Sequence, residues 1–166
     1  MTTILAAFAT LVLSSITWIA PVAPLVVERP FTAPSGPYSP GHRGVDLAAA
    51  LGTSVRAPAP GIVRVAGRVA GKDVVSIEHP HRILGRTGWR TTYEGVRATV
   101  QVGDRVDQGD RIGSVTGSGG HTGGVHWGLK LGRSYADPLL LLRRTAILKP
   151  LSATTRDLTV PSVGSS

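Results

Sequence analysis

Between about Thr53 and Leu142 the chain is a succession of short β-prone runs cut apart by turn residues: "TSVRA", "GIVRVAGRV", "DVVSIEH", "WRTTYEGV", "DRIGSV" and "VHWGLKLG". Runs of this length, rich in Val, Ile, Thr and aromatic residues and bounded by Gly, Pro and Asp, form strands rather than helices. The 21 glycines and 12 prolines among 166 residues strengthen that reading, and the length leaves room for one core. The pattern predicts an all-β domain. It is closed by "ADPLLLLRR", where Asp-Pro before four leucines starts a short closing segment or helical turn.

The N-terminus carries a second constraint. No charged side chain occurs from Thr2 to Val27, and residues 4–20, "ILAAFATLVLSSITWIA", are almost entirely apolar. A helix of a soluble core keeps a polar face. Residues 1–27 are therefore read as a hydrophobic helix serving as a signal peptide or membrane anchor, which places the domain in the cell envelope or outside the cell. Membrane contact is expected only through that segment. A basic leader is absent, and Ala20 and Ala23 are each followed by proline, so cleavage and retention both stay open. Residues 28–41, with Pro30, Pro34, Pro37 and Pro40, read as an extended proline-rich linker. The domain then spans 42–142, and 143–166 reads as a loose C-terminal tail.

The formal charge of +8 favours polyanionic partners. The basic residues are scattered, without long runs or interleaved aromatics for stacking on bases, so nucleic acid is not expected. The chain has no cysteine. Disulfides and thiolate ligands are thereby excluded, and a metal would be held by histidine and carboxylate.

In "GHRGVDLAAALG" His42 and Asp46 stand four residues apart. Gly41 and Gly44 disfavour a helix there, since glycine costs about 1 kcal/mol relative to alanine in a helix interior. A turning or extended H-x-x-x-D that converges on one point is half of a metal site. The alternative for Asp46 is a turn-capping carboxylate after Gly44. A metal that does chemistry needs three protein ligands and one open position. In "VHWGLKLG" strand alternation puts His126, Gly128 and Lys130 on one face and Trp127, Leu129 and Leu131 on the other. His126 there fits either a ligand facing a groove or a surface histidine. His79 and His81 flank Pro80 in a turn and read as structural or solvent-facing.

Taken in order from about Pro30 to Leu142, "GHRGVDLAA", "GTSVRAPAPGIVRVAG", "VVSIEH", "TTYEGV", "VQVGDRVDQGDRIGSV" and "VHWGLKLG" resemble the lysostaphin/LytM-like zinc metalloendopeptidases, the peptidoglycan hydrolase domains. The resemblance implies an antiparallel β-sheet core of that type, a barrel-sandwich hybrid with the duplicated hybrid motif. It implies a Zn2+ ion held by His42, Asp46 and His126. The function it implies is an exported zinc metallopeptidase acting on peptidoglycan peptides.

One departure stands against that. Active members carry two further histidines, one in a Tyr-x-His strand and one opening a His-x-His pair, where this chain has Gly95 and Gly124. Glycine can neither accept a proton nor donate a side-chain hydrogen bond. The alternative function is thus a catalytically degenerate module that binds peptidoglycan or regulates another cell-wall hydrolase. Two residues are candidate substitutes. His121 lies in the glycine-flanked loop "GSGGHTGG", able to fold over a site; Glu94 adjoins the vacant strand position, but alternation sets it on the face opposite Gly95. His121 is therefore the expected catalytic helper. Trp127 and Tyr93 fit a groove wall or the core, and Arg90, Arg97 and Lys130 fit substrate carboxylates or a solvated face. The stretch "VQVGDRVDQGDRIG" also resembles hairpins of biotinyl and lipoyl carrier domains, yet none of Lys72, Lys130 and Lys149 occupies the exposed tight turn such carriers modify.

Overall fold

The computed structural model describes residues 17–36, 39–117 and 124–143. Its strands are β1 (Val27–Arg29), β2 (Gly44–Leu47), β3 (Ser54–Arg56), β4 (Gly61–Val69), β5 (Lys72–Glu78), β6 (Arg90–Glu94), β7 (Val96–Ala98), β8 (Arg105–Val106), β9 (Arg111–Val115), β10 (Val125–Leu131) and β11 (Ser134–Ala136), followed by the one-turn helix α1 (Leu139–Leu142). The larger sheet runs β1-β2-β10-β6-β5-β4-β8, with β11 added beside β10, and the smaller runs β3-β9-β7. The pairings within both sheets are antiparallel, as the strand pattern predicts.

Alternation gives the central strands two faces. Val45 and Leu47 of β2, Val75 and Ile77 of β5, Tyr93 of β6, and Val125, Trp127 and Leu129 of β10 are all fully buried. They join Val55, Val96, Ile112 and Val115 of the smaller sheet in one core. Trp127 stands opposite Tyr93 in the β6–β10 register, so both rings belong to the core, not to a groove wall. Burying each such side chain stabilises the fold by about 1.5–3 kcal/mol. The β4–β5 hairpin closes through Ala70 and Gly71 at φ 48° and 84°, the pair of positive values that a two-residue type I′ turn requires.

The expected N-terminal hydrophobic helix falls mostly in residues 1–16, outside the described residues. No helix among those described is long and apolar enough to cross a membrane. The end of the apolar segment packs into the domain: Trp18 and Val22 belong to the core, the Ile19 amide donates to the Pro58 carbonyl at 3.1 Å, and the Arg56 amide to the Pro21 carbonyl at 2.9 Å. The proline-rich stretch likewise lies against the domain over part of its length. β1 pairs with β2, and Thr32 bridges to His42.

Candidate metal centre

β2 and β10 are neighbours, and their register sets His126 directly opposite Asp46. With Val45, Leu47, Val125 and Trp127 turned into the core, alternation sends Asp46 and His126 to the other face. His42, just ahead of β2, reaches the same point. Gly44 makes this approach sterically open: a β carbon there would lie 2.4 Å from the Trp127 carbonyl oxygen and 2.7 Å from His126 Nε2. The glycine that looks in sequence like a turn signal is thus the first residue of a strand. Asp46 sits inside that strand, so the turn-cap alternative does not hold.

His42 Nε2 lies 3.1 Å from Asp46 Oδ1 and 3.2 Å from His126 Nδ1, and His126 Nδ1 lies 2.8 Å from Asp46 Oδ1. Behind the site His42 Nδ1 donates to the Pro30 carbonyl oxygen at 2.8 Å. That bond fixes the tautomer and presents Nε2 as a lone pair, the arrangement in which metal-binding histidines are held. Asp46 Oδ2 is buried without a hydrogen-bond partner. Burial alone pushes the Asp46 carboxyl up, but the His126 hydrogen bond and the neighbouring imidazoles outweigh it and hold the group below its ordinary range.

One ligand atom from each of the three residues falls within 4.8 Å of the others. Three potential ligand atoms crowded together beside an orphaned buried carboxylate oxygen are stabilised by a cation among them. Two imidazoles and one carboxylate, in a chain without thiolates, suit zinc. The structure therefore brings together the three residues that the family resemblance implies.

His126 also borders a cavity of about 410 Å³ that extends over the outer face of β10, β6, β5 and β4. Arg43, Lys72, Arg90, Lys130 and Tyr135 contribute to its walls. The Arg43 guanidinium and the Lys130 ammonium stand 5.6 Å and 5.9 Å from the Tyr135 ring centre. Arg90 is paired with Glu78 at 3.0 Å. Arg97 is on β7 of the other sheet and is not among the residues lining this cavity. His79 is fully buried, as a structural histidine should be.

The backbone explains the two helper positions. Gly95 has φ 81°, a conformation costly for any side chain, and its amide donates to the Asp73 carbonyl at 2.8 Å. At Gly124 a β carbon would lie 2.0 Å from the Leu47 carbonyl oxygen. Histidine fits neither place on this backbone. His121 lies outside the described residues. Glu94 overturns an expectation: it stands opposite His126 in the register and lines the same cavity. Strand β6 ends at Glu94, and Gly95 turns the chain towards the second sheet, so the face of Gly95 is no guide to the metal side. The usable signal was Tyr93, whose inward ring sends its neighbour outward.

The family model for peptidase family M23 matches residues 40–138, a span that contains His42, Asp46 and His126. Uncharacterized protein Rv2891 of Mycobacterium tuberculosis is 43% identical over 145 residues, covering 81% of this chain and 55% of its own length. The chain thus spans about half the length of the curated relatives it matches. Among solved structures, the antimicrobial peptidase lysostaphin from Staphylococcus simulans shares the fold with TM-score 0.62 at 22% identity, over 86% of this chain and 60% of that one. Helicobacter pylori Csd3 aligns with TM-score 0.58 at 27% identity, over 76% of this chain and 34% of that one. The chain belongs to peptidase family M23.

Proposed function

We propose that the protein is an exported zinc metallopeptidase that cleaves peptidoglycan peptides in the cell envelope. The observation that carries this reading is the convergence of His42 Nε2, Asp46 Oδ1 and His126 Nδ1 beside a groove able to take a short extended peptide. Zinc held by His42, Asp46 and His126 would supply a Lewis acid for the scissile carbonyl and would lower the pKa of a water molecule towards neutrality. The chain's own residues do the rest. Pro30 orients His42. Arg43 and Lys130, flanking Tyr135, give one side of the groove a positive face suited to carboxylates of a wall peptide. Export is supported by the uncharged stretch from Thr2 to Val27.

The experiment is digestion of purified peptidoglycan by the zinc-loaded protein, following newly released amino groups. Release that a chelator and His126→Ala both abolish is the expected result. A second reading, favoured by Gly95 and Gly124, is a module that binds peptidoglycan or regulates another cell-wall hydrolase. Binding to wall material without release of amino groups would favour it.

A further inference from the structure

We infer that Glu94 is the catalytic carboxylate of this site, taking the proton-transfer part that a histidine absent from position 95 or 124 would play, with Lys72 as its positioning residue. The inference rests on the peptidase reading above. Glu94 is the last residue of β6 and faces His126 across the β6–β10 ladder. Directly opposed residues on one face have β carbons about 4.5–5.5 Å apart. Tyr93 is turned fully into the core, so Glu94 points to the outer face, and it lines the same cavity as His126. It is the one carboxylate among the described residues lining that cavity.

Its carboxylate is held. Lys72 Nζ lies 2.7 Å from Glu94 Oε2, reaching across from β5, where Val74 is the register partner of Glu94. Oε1 is left for a second partner. The backbone at positions 95 and 124 admits no histidine, and a peptidase still needs a group to move a proton; among the described residues that line this cavity, Glu94 supplies the carboxylate for it. In the step, the oxygen of the attacking water bonds to the peptide carbonyl carbon while Glu94 takes one of its protons. The carbon–nitrogen bond then breaks as Glu94 returns that proton to the leaving nitrogen. The products are a carboxylic acid, which keeps the second proton of the water, and an amine; passing that proton to the amine leaves carboxylate and ammonium, and no further reactant is consumed.

The test uses the full zinc-loaded chain as wild type, Glu94→Gln, Lys72→Met and His121→Ala. Three quantities are read: zinc content, affinity for acetohydroxamate by calorimetry, and amino groups released from peptidoglycan. A hydroxamic acid gives up its proton on chelating a metal, and a neighbouring carboxylate takes it, so its affinity reports Glu94 without turnover. Glu94→Gln should keep stoichiometric zinc, bind acetohydroxamate at least about 10-fold more weakly and release amino groups at least about 100-fold more slowly. Lys72→Met should show a smaller loss in both. Wild-type hydroxamate affinity and release in Glu94→Gln would overturn the assignment, as would a comparable loss confined to His121→Ala. If the wild type releases nothing, the peptidase reading fails by itself. Hydroxamate affinity then still decides Glu94: weakening in Glu94→Gln supports its place beside the metal, and no change removes it.

Discussion

A β carbon on Gly124 would lie 2.0 Å from the carbonyl oxygen of Leu47, because the chain entering β10 runs against the end of β2 with no room for a side chain. Gly124→Ala should therefore destabilise the protein by about 2 kcal/mol or more, the usual range for overpacking. Gly95→Ala should cost about 1–2 kcal/mol through its left-handed backbone. Gly124→His and Gly95→His should lose stability without gaining activity. Urea unfolding midpoints and the amino-group assay check this, and a stable, more active histidine variant would contradict it.

The strands were legible from local pattern. "GIVRVAGRV" is β4 over the same residues, and "VHWGLKLG" contains β10, because alternation against turn signals is a local property. The face assignment of His126 against Trp127 followed from the same periodicity. What the sequence could not show depends on partners far along the chain. β1 and the Thr32–His42 bridge exist because β2 offers an edge, and nothing in a proline-rich stretch announces that. Gly44 resembled a turn glycine because its reason, the closeness of His126 and Trp127, lies more than eighty residues away. Glu94 shares the outer face with His126 because Tyr93 points inward and β6 ends before Gly95, a strand end that alternation along the sequence does not reveal.

Acid should weaken the fold through His79. Its ring is fully buried, Nδ1 donates to the Pro60 carbonyl at 2.9 Å and Nε2 accepts from the Thr91 hydroxyl at 2.8 Å. Burial lowers its pKa from 6.5 to about 4, with the Pro60 bond offsetting part of the effect. The unfolded chain takes up a proton below 6.5 that the folded chain refuses until about 4, so stability falls as pH drops through that window, by about 3 kcal/mol in all. Unfolding midpoints measured at pH 7, 5 and 4 should show the decline, and His79→Gln should flatten it while lowering stability at pH 7. A wild-type profile unchanged across this range would contradict the assignment.

Trp18 is 7% exposed and packs edge-on against His79 with ring centres 4.7 Å apart. Trp18→Ala should cost about 3–5 kcal/mol, and a chain beginning after Ala23 should lose a comparable amount. Differential scanning calorimetry compares them; a truncated chain as stable as the full one would show that residues 17–22 add nothing to the core.

Metal removal should leave the fold standing. The candidate ligands sit on the face of the larger sheet away from the core, which is built without them. Chelation should lower the melting temperature only by the lost binding energy and leave the far-ultraviolet circular dichroism spectrum unchanged. Collapse of that spectrum would make the ion structural.

The most direct measurement is anomalous diffraction at the zinc absorption edge from crystals of the protein grown with excess zinc. The expected map has a peak about 2.0–2.2 Å from His42 Nε2, from a carboxylate oxygen of Asp46 and from His126 Nδ1. No peak among these three residues, or zinc held by other side chains, would contradict the metal centre on which the proposed function rests.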